Sequence, residues 1–274
     1  MQMSYPRSVR ATLNFAADRS DGGEFSNGRP DRSRQKLLPN EVEIHNARLC
    51  SRRPTLDVEG LTLTDHPSGR AEWSNPKWIA SEYVPSCVTL VKTLTGARQA
   101  FDVFSPLQRR ADYSSAPGAA PTAGFVHIDQ TRECGQQMIR DLYAKARGIE
   151  FKRAAIYNVW KPLTAPPQDR PLAISDRRSI ATTDHIVGNT VEWLSKGEDQ
   201  KLVSPYVILA RSSQQPVWYY APHMSVDESW VFIGVDLDPA NPLGCAHSAF
   251  QHPETNGPMV PRVSIETRVL AIFE

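Results

Sequence analysis

No stretch of the chain approaches the roughly 18 uninterrupted apolar residues of a membrane span, and its start, MQMSYPRSVRATLNFAADRSDGG, lacks the apolar core of a secretory leader. A soluble, cytoplasmic protein is the expectation. Neither charge is in excess: 31 basic and 30 acidic residues are interspersed, leaving a net charge of +1 and no basic face for nucleic acid. Only four cysteines occur, Cys50, Cys87, Cys134 and Cys245, without a C-x-x-C pair, which fits reduced thiols better than a disulfide framework or a zinc site. Also missing are G-x-S-x-G, G-x-x-x-x-G-K and G-x-G-x-x-G, so serine-hydrolase, phosphate-loop and nicotinamide readings lose their support. A small-molecule partner is what these exclusions leave.

What is present changes character along the 274 residues. Residues 18–40 are polar and rich in Gly, Ser, Pro and charge, too poor in apolar area to offset chain entropy alone, and the whole of 1–40 reads as a polar N-terminal arm. Residues 41–274 read as one domain. Trp78, Ile79, Tyr83, Val88, Val91 and Leu94 recur at helical spacing, which predicts a helix broken near Pro85. The small-residue run 111–123, ADYSSAPGAAPTA, reads as a flexible loop or lid. After it, Met138, Ile139, Leu142, Tyr143 and Ala146 predict an amphipathic helix ending at Gly148. Then come short β-prone runs, FKRAAIYNVW, PLAIS, LVSPYVILA, PVWYYAP, SWVFIGVDL and RVSIETRVLAIF, split by turn residues. Ser225 and Glu228 have capping-box spacing, predicting a helical turn among them. The fold class expected is mainly β with flanking helices, a sandwich or barrel.

Chemistry enters at GFVHIDQT. In a strand, His127 and Asp129 share a face while Ile128 turns back to the core. An imidazole nitrogen and a carboxylate oxygen suit a borderline metal, and two histidines with one carboxylate form the facial set of non-haem Fe(II) oxygenases, so a second histidine is required. His45, His66 and His185 lie in polar contexts and read as surface residues; His223 and His252 lie beside prolines at a turn and in a loop. His247 is the best candidate, because Cys245, Ala246, Ser248 and Ala249 let a metal approach the backbone. Farther on, Arg262, Ser264, Glu266 and Arg268 share one face of an otherwise apolar strand, a polar row that requires a ligand. An arginine fork with a neighbouring hydroxyl suits a dicarboxylate.

H-x-D, a distant His and then R-x-S resemble the Fe(II)/2-oxoglutarate-dependent oxygenases. More narrowly, the chain resembles the hydroxylase/desaturase group of gibberellin desaturase-like, AsaB-like and cephem-methoxylase-related proteins. The likeness covers about residues 40–274, through VHIDQT, YNVWKPL, PLAISD, WYYAPHMSVDESWVF, AHSAF and PRVSIETRVLAIF in this order. It implies a double-stranded β-helix (jelly-roll, cupin-like) core, with His127, Asp129 and His247 as ligands of Fe(II). It implies Arg262 and Ser264 as the 2-oxoglutarate site, with Asn158 a hydrogen bonder to that co-substrate and Arg268 an alternative anchor. With O2, such a protein hydroxylates, desaturates or oxidatively cyclises, aziridine formation included, a small secondary metabolite or amino acid. An iron oxidase without 2-oxoglutarate and a metal-free acid-binding jelly roll are the rival readings. Arg177 or Arg178 is a candidate for a substrate carboxylate, and at most one of Tyr219 and Tyr220 lines the cavity.

Overall fold

The computed structural model describes residues 6–27, 29–111, 120–140, 148, 152–193, 201–212, 214–253 and 258–273. Within them the strands are β1 (Ser8–Ala16), β2 (Glu24–Asn27), β3 (Leu37–Asn46), β4 (Leu61–Asp65), β5 (Gln99–Asp102), β6 (Leu107–Arg110), β7 (Ala120–Pro121) and β8 (His127–Ile128). They continue as β9 (Arg153–Pro162), β10 (Leu172–Ser175), β11 (His185–Trp193), β12 (Lys201–Leu209), β13 (Trp218–Tyr220), β14 (Glu228–Asp236), β15 (His247–Ala249) and β16 (Val263–Phe273). Two sheets hold them. One runs β1-β3-β13-β10-β15-β8-β12-β11-β2, the other β4-β14-β9-β16-β6-β7, with β5 also paired to β16. Facing one another across a shared core and cavity, the sheets form the jelly-roll arrangement expected.

The alternation along β16 explains why its apolar pattern looks irregular in sequence. Ile265, Val269 and Ala271 point outward into an apolar layer, whereas Leu270 and Ile272 point inward to the main core. Inward too, but at the other end of the strand, are Glu266 and Arg268, which line a cavity. The inner face thus passes from cavity to core along one strand. Its partner β9 does the same: Ala154 and Ile156 enter the core, while Asn158 and Trp160, opposite Arg268 and Glu266, belong to the polar end. Each fully buried Ile or Leu here stabilises the sandwich by about 1.5–3 kcal/mol.

The outward layer is covered by a helical rod: α1 (Pro76–Trp78), a wider π turn (Ile79–Tyr83) and α2 (Val84–Thr95), which seats Tyr83, Cys87 and Val91 on β9 and β16. The break expected near Pro85 does not occur. Pro85 lies in the first turn of α2, and the Val84 N–H donates back to the Ile79 carbonyl, so the widened turn accommodates the ring. Gly96, at φ 65°, ends the rod in the left-handed conformation. A shorter α3 (Arg132–Met138) begins at Thr131, whose hydroxyl accepts from the Cys134 N–H. Of the amphipathic helix expected to Gly148, residues 141–147 lie outside the described residues, and Gly148 itself has φ 64°. No helix among the described residues is long and apolar enough to cross a membrane.

Three further expectations are corrected. Residues 8–16 are not arm but strand: Val9, Ala11, Leu13 and Phe15 alternate into the core, and β1 pairs with β3 along its whole length. The Ser225–Glu228 spacing closes a turn into β14, not a helical turn, because the Glu228 carboxylate accepts from the Ser225 N–H while clamped by both Arg48 Nη atoms at 2.6 and 2.7 Å. His66 is buried, not superficial, with Nδ1 3.0 Å from Ser229 Oγ and Nε2 3.0 Å from Ser86 Oγ. Burial, followed by the charge of Lys161, lowers its pKa to about 4. The unfolded chain therefore takes up a proton near pH 6.5 that the folded one refuses until about 4, so stability declines as pH falls through that window. Thermal melts should show a steeper acid loss for the wild type than for His66→Gln; parallel curves would remove His66 from the account.

Candidate metal centre

β8 and β15 lie side by side in the larger sheet with His127 directly opposite His247, their ring centroids 4.3 Å apart. Asp129 follows β8 immediately, so the H-x-D spacing delivers its carboxylate to the same side. Asp129 Oδ1 is 3.8 Å from His127 Nε2 and 3.9 Å from His247 Nε2, and one ligand atom from each residue lies within 4.8 Å of the others. Ile128 turns away and is buried in the main apolar cluster.

The tautomers are set by the backbone. His127 Nδ1 lies 2.9 Å from the Phe125 carbonyl and His247 Nδ1 3.3 Å from the Cys245 carbonyl; carbonyls only accept, so each Nδ1 carries the proton and each Nε2 presents a lone pair. Burial holds both imidazoles neutral, His127 down to about 3. For Asp129, burial is the largest influence and acts upward, but Arg268 and the two histidines outweigh it and the carboxyl stays below its ordinary range. Two imidazole lone pairs and a carboxylate oxygen converge with no proton to displace at neutral pH. That donor set fits a borderline divalent cation.

The carboxylate is itself held. Asn158 Nδ2 donates to Asp129 Oδ2 at 2.7 Å, and Arg268 Nη2 lies 2.9 Å from both Asp129 Oδ1 and Glu266 Oε1. Asn158 is expected to meet a co-substrate; in the structure its amide nitrogen donates to Asp129. Behind it, β14 carries a register shift between Ile233 and Val235, and a Cβ on Gly234 would come 2.6 Å from Asn158 Oδ1. Removing the amide in Asn158→Ala frees Asp129 to rotate and should weaken Fe(II) binding about tenfold. Anaerobic metal titration measures this, and unchanged affinity would show that Arg268 alone orients the carboxylate.

Around the cluster lies a cleft, lined from one sheet by His127, Leu172, His247 and Ala249 and from the other by Arg109, Trp160, Arg262, Glu266 and Arg268. The polar row of β16 therefore faces it, as its alternation implied. Arg262 is buried with its Cζ 5.3 Å from the Trp160 ring centroid, Nη1 donating to the Arg170 carbonyl at 2.7 Å and Nε without a partner. Burial and then the neighbouring charge of Arg109 lower its pKa to about 9, which leaves it a cation at neutral pH. Ser264 is buried two residues along on the same face. Arg268, the alternative anchor, is already engaged by two carboxylates.

Other candidates are elsewhere. Arg177 pairs with buried Asp236 at 3.1 Å, and Arg178 with Asp176 and Glu59 at 2.7 and 3.0 Å, which removes both from consideration for a substrate carboxylate. Neither tyrosine lines the cleft: Tyr219 packs near His45, and Tyr220 meets Phe250 and His252. His223 sits in a turn at φ 48°. The run 111–123 reaches the site through Ala123, while 112–119 lie outside the described residues. Arg109 and Glu266 went unassigned by sequence reasoning; Glu266 was visible in the polar row, but nothing in SPLQRRAD separates Arg109 from Arg110.

Residues 13–272 match the family described as oxidoreductase/YMDC permease-like domain. The chain is 28% identical over 246 residues to the Fe(II)/2-oxoglutarate-dependent dioxygenase nvfI of Aspergillus novofumigatus, covering 85% of this chain and 83% of that protein. It is likewise 28% identical over 292 residues to the hydroxylase/desaturase CTB9 of Cercospora beticola, covering 96% and 86%. Among solved structures, the iron and alpha-ketoglutarate-dependent endoperoxidase NvfI superposes with a TM-score of 0.81 at 24% identity, over 98% of this chain and 99% of that one, a likeness of fold.

Proposed function

The chain belongs to the oxidoreductase/YMDC permease-like family, and we propose that it is a non-haem Fe(II)- and 2-oxoglutarate-dependent dioxygenase acting on a small secondary metabolite or amino acid. The observation that carries the reading is the convergence of His127 Nε2, Asp129 Oδ1 and His247 Nε2 inside a cleft that also holds a buried arginine with no carboxylate partner among the described residues. Relatives named as a dioxygenase and as a hydroxylase/desaturase support it.

In this reading His127, Asp129 and His247 would hold the iron on one side, leaving the cleft side open for co-substrate and O2. Iron and 2-oxoglutarate, when bound, would activate O2, the oxidant, for attack on an unactivated C–H bond. Everything else falls to the chain. Asn158 and Arg268 keep Asp129 aimed and ionised. Arg262 would take the distal carboxylate of 2-oxoglutarate through its fork, with Ser264 beside it, and Trp160 beneath the guanidinium excludes water from that pairing. Hydroxylation, desaturation and cyclisation differ in where the cleft holds the target carbon, and among the described residues Glu266 is the one carboxylate or imidazole on the cleft outside the His127, Asp129 and His247 set.

The test is succinate release. Purified protein given Fe(II), O2 and 2-oxoglutarate should form succinate, faster with a true substrate from a panel of small acids and amino acids. Iron-dependent O2 consumption without succinate would replace the reading with a 2-oxoglutarate-independent oxidase.

A further inference from the structure

Arg109 is a second guanidinium on the cleft, and its side-chain hydrogen bonds among the described residues go to neutral acceptors. On β6 it stands opposite Ser264 of β16, hence diagonal to Arg262 and Glu266. The two arginines nevertheless lean apart. Arg262 reaches the Arg170 carbonyl, beside β10, whereas Arg109 Nη1 donates to the Pro121 carbonyl at 2.9 Å and the Asn27 side-chain oxygen at 3.4 Å, on β7 and β2. In the larger sheet β10 lies on one side of the β15–β8 pair and β2 on the other. The hydrogen bonds of the two cations thus run toward opposite sides of the metal cluster.

Charge leads to the same place. The cleft is lined by three guanidiniums, Arg109, Arg262 and Arg268, against two carboxylates, Asp129 and Glu266, and both carboxylates are taken by Arg268. Bound Fe(II) adds two positive charges and 2-oxoglutarate removes two, so one remains uncompensated. A partly desolvated cation that bonds no carboxylate is costly, and among the described residues Arg109 is in that condition, feeling Glu266 and Asp129 only through space. Its Nε and Nη2 make no hydrogen bond among the described residues, which leaves an open fork for an anion.

We propose that Arg109 is the substrate-binding arginine, and that the substrate is a small acid held through a carboxylate, while Arg262 serves the co-substrate. The proposal rests on the dioxygenase reading above. It gives the substrate a polarity: the acid group points to the β2 side, and the carbon to be oxidised lies between that group and the His127–His247 pair.

The test uses the protein loaded with Fe(II) and 2-oxoglutarate under anaerobic conditions and three matched pairs of probes, hexanoate and hexanamide, phenylacetate and phenylacetamide, indole-3-acetate and indole-3-acetamide. Each pair shares size and shape, and the amide lacks the charge and the second acceptor oxygen. Binding is followed by the metal-to-ligand absorption band and by the thermal midpoint. At least one acid should bind about tenfold or more tightly than its amide. Arg109→Gln should abolish that preference while 2-oxoglutarate binds within about threefold of wild type. Should Arg109→Gln fail to fold, Arg109→Lys keeps the charge without the fork and should retain only part of the preference. No acid binding better than its amide would overturn the proposal, as would an Arg109 variant that loses 2-oxoglutarate but keeps the acid preference. A wild type with no 2-oxoglutarate-dependent band would instead defeat the dioxygenase reading.

Discussion

Alanine at His127, Asp129 or His247 should leave protein without stoichiometric iron and without turnover, while the two sheets still fold. Each residue supplies one of the three atoms that converge within 4.8 Å, and two remaining donors leave a site that water and buffer readily strip. The variants should differ in stability, however. His127 and His247 are neutral and bonded only through Nδ1 to carbonyls, so their loss opens a small cavity and frees one acceptor each. Asp129 is one of the two carboxylates on Arg268 and the acceptor of Asn158, so Asp129→Ala leaves Arg268 to Glu266 alone and the Asn158 amide unpaired, and should cost about 1–3 kcal/mol, mostly relieved in Asp129→Asn. Iron analysis after anaerobic gel filtration, beside thermal melts, separates the two effects. Equimolar iron and turnover in any single alanine variant would remove that residue from the set.

The second large effect concerns Arg262. Arg262→Lys retains a charge but loses the planar fork and the contact over Trp160, and should weaken 2-oxoglutarate by roughly 1.5–3 kcal/mol, about ten- to a hundred-fold. Ser264→Ala should act the same way, near the ~1 kcal/mol of one hydrogen bond. Arg268→Lys should behave differently: since Arg268 holds Asp129 and Glu266, iron affinity should fall more than co-substrate affinity. Titration of the anaerobic Fe(II) protein, followed by its metal-to-ligand absorption, reads all three. Normal binding in Arg262→Lys with lost binding in Arg268→Lys would reverse the two assignments. Normal binding in both would favour an oxidase that uses no 2-oxoglutarate.

Which parts of this were legible beforehand follows from the range of the interactions involved. His127, Asp129 and the row from Arg262 to Arg268 announce themselves locally, because polar side chains at strand spacing inside apolar runs have few other uses. The strands β9, β10, β12, β13, β14 and β16 were likewise visible as β-prone runs. β1 was missed although Val9, Ala11, Leu13 and Phe15 alternate, since the polar residues after it coloured the whole N-terminal reading. β11 was missed for a different reason: HIVGNTVEW is mixed in composition, and its strand character comes from nine registered partners in β12. His66 and Arg109 owe their surroundings to Ser229, Asn27 and Ser264, residues remote in the chain, so no window around either could disclose them.

The aim of the Asp129 carboxylate depends in the end on atoms that are not there. Gly234 leaves room for the Asn158 amide, and Gly244, whose own Cβ would fall 2.4 Å from the Gly234 carbonyl, lets the segment leading to His247 lie flush against that spot. Two vacant methyl positions therefore connect both arms of the cluster: one through Asn158 to Asp129, the other through residues 244–247 to the distal histidine. An enzyme engineer enlarging this cleft has freedom along Trp160 and Leu172, but the floor beneath Asn158 tolerates no added carbon. Selectivity is open to redesign from above, while the coordination geometry is inherited from below.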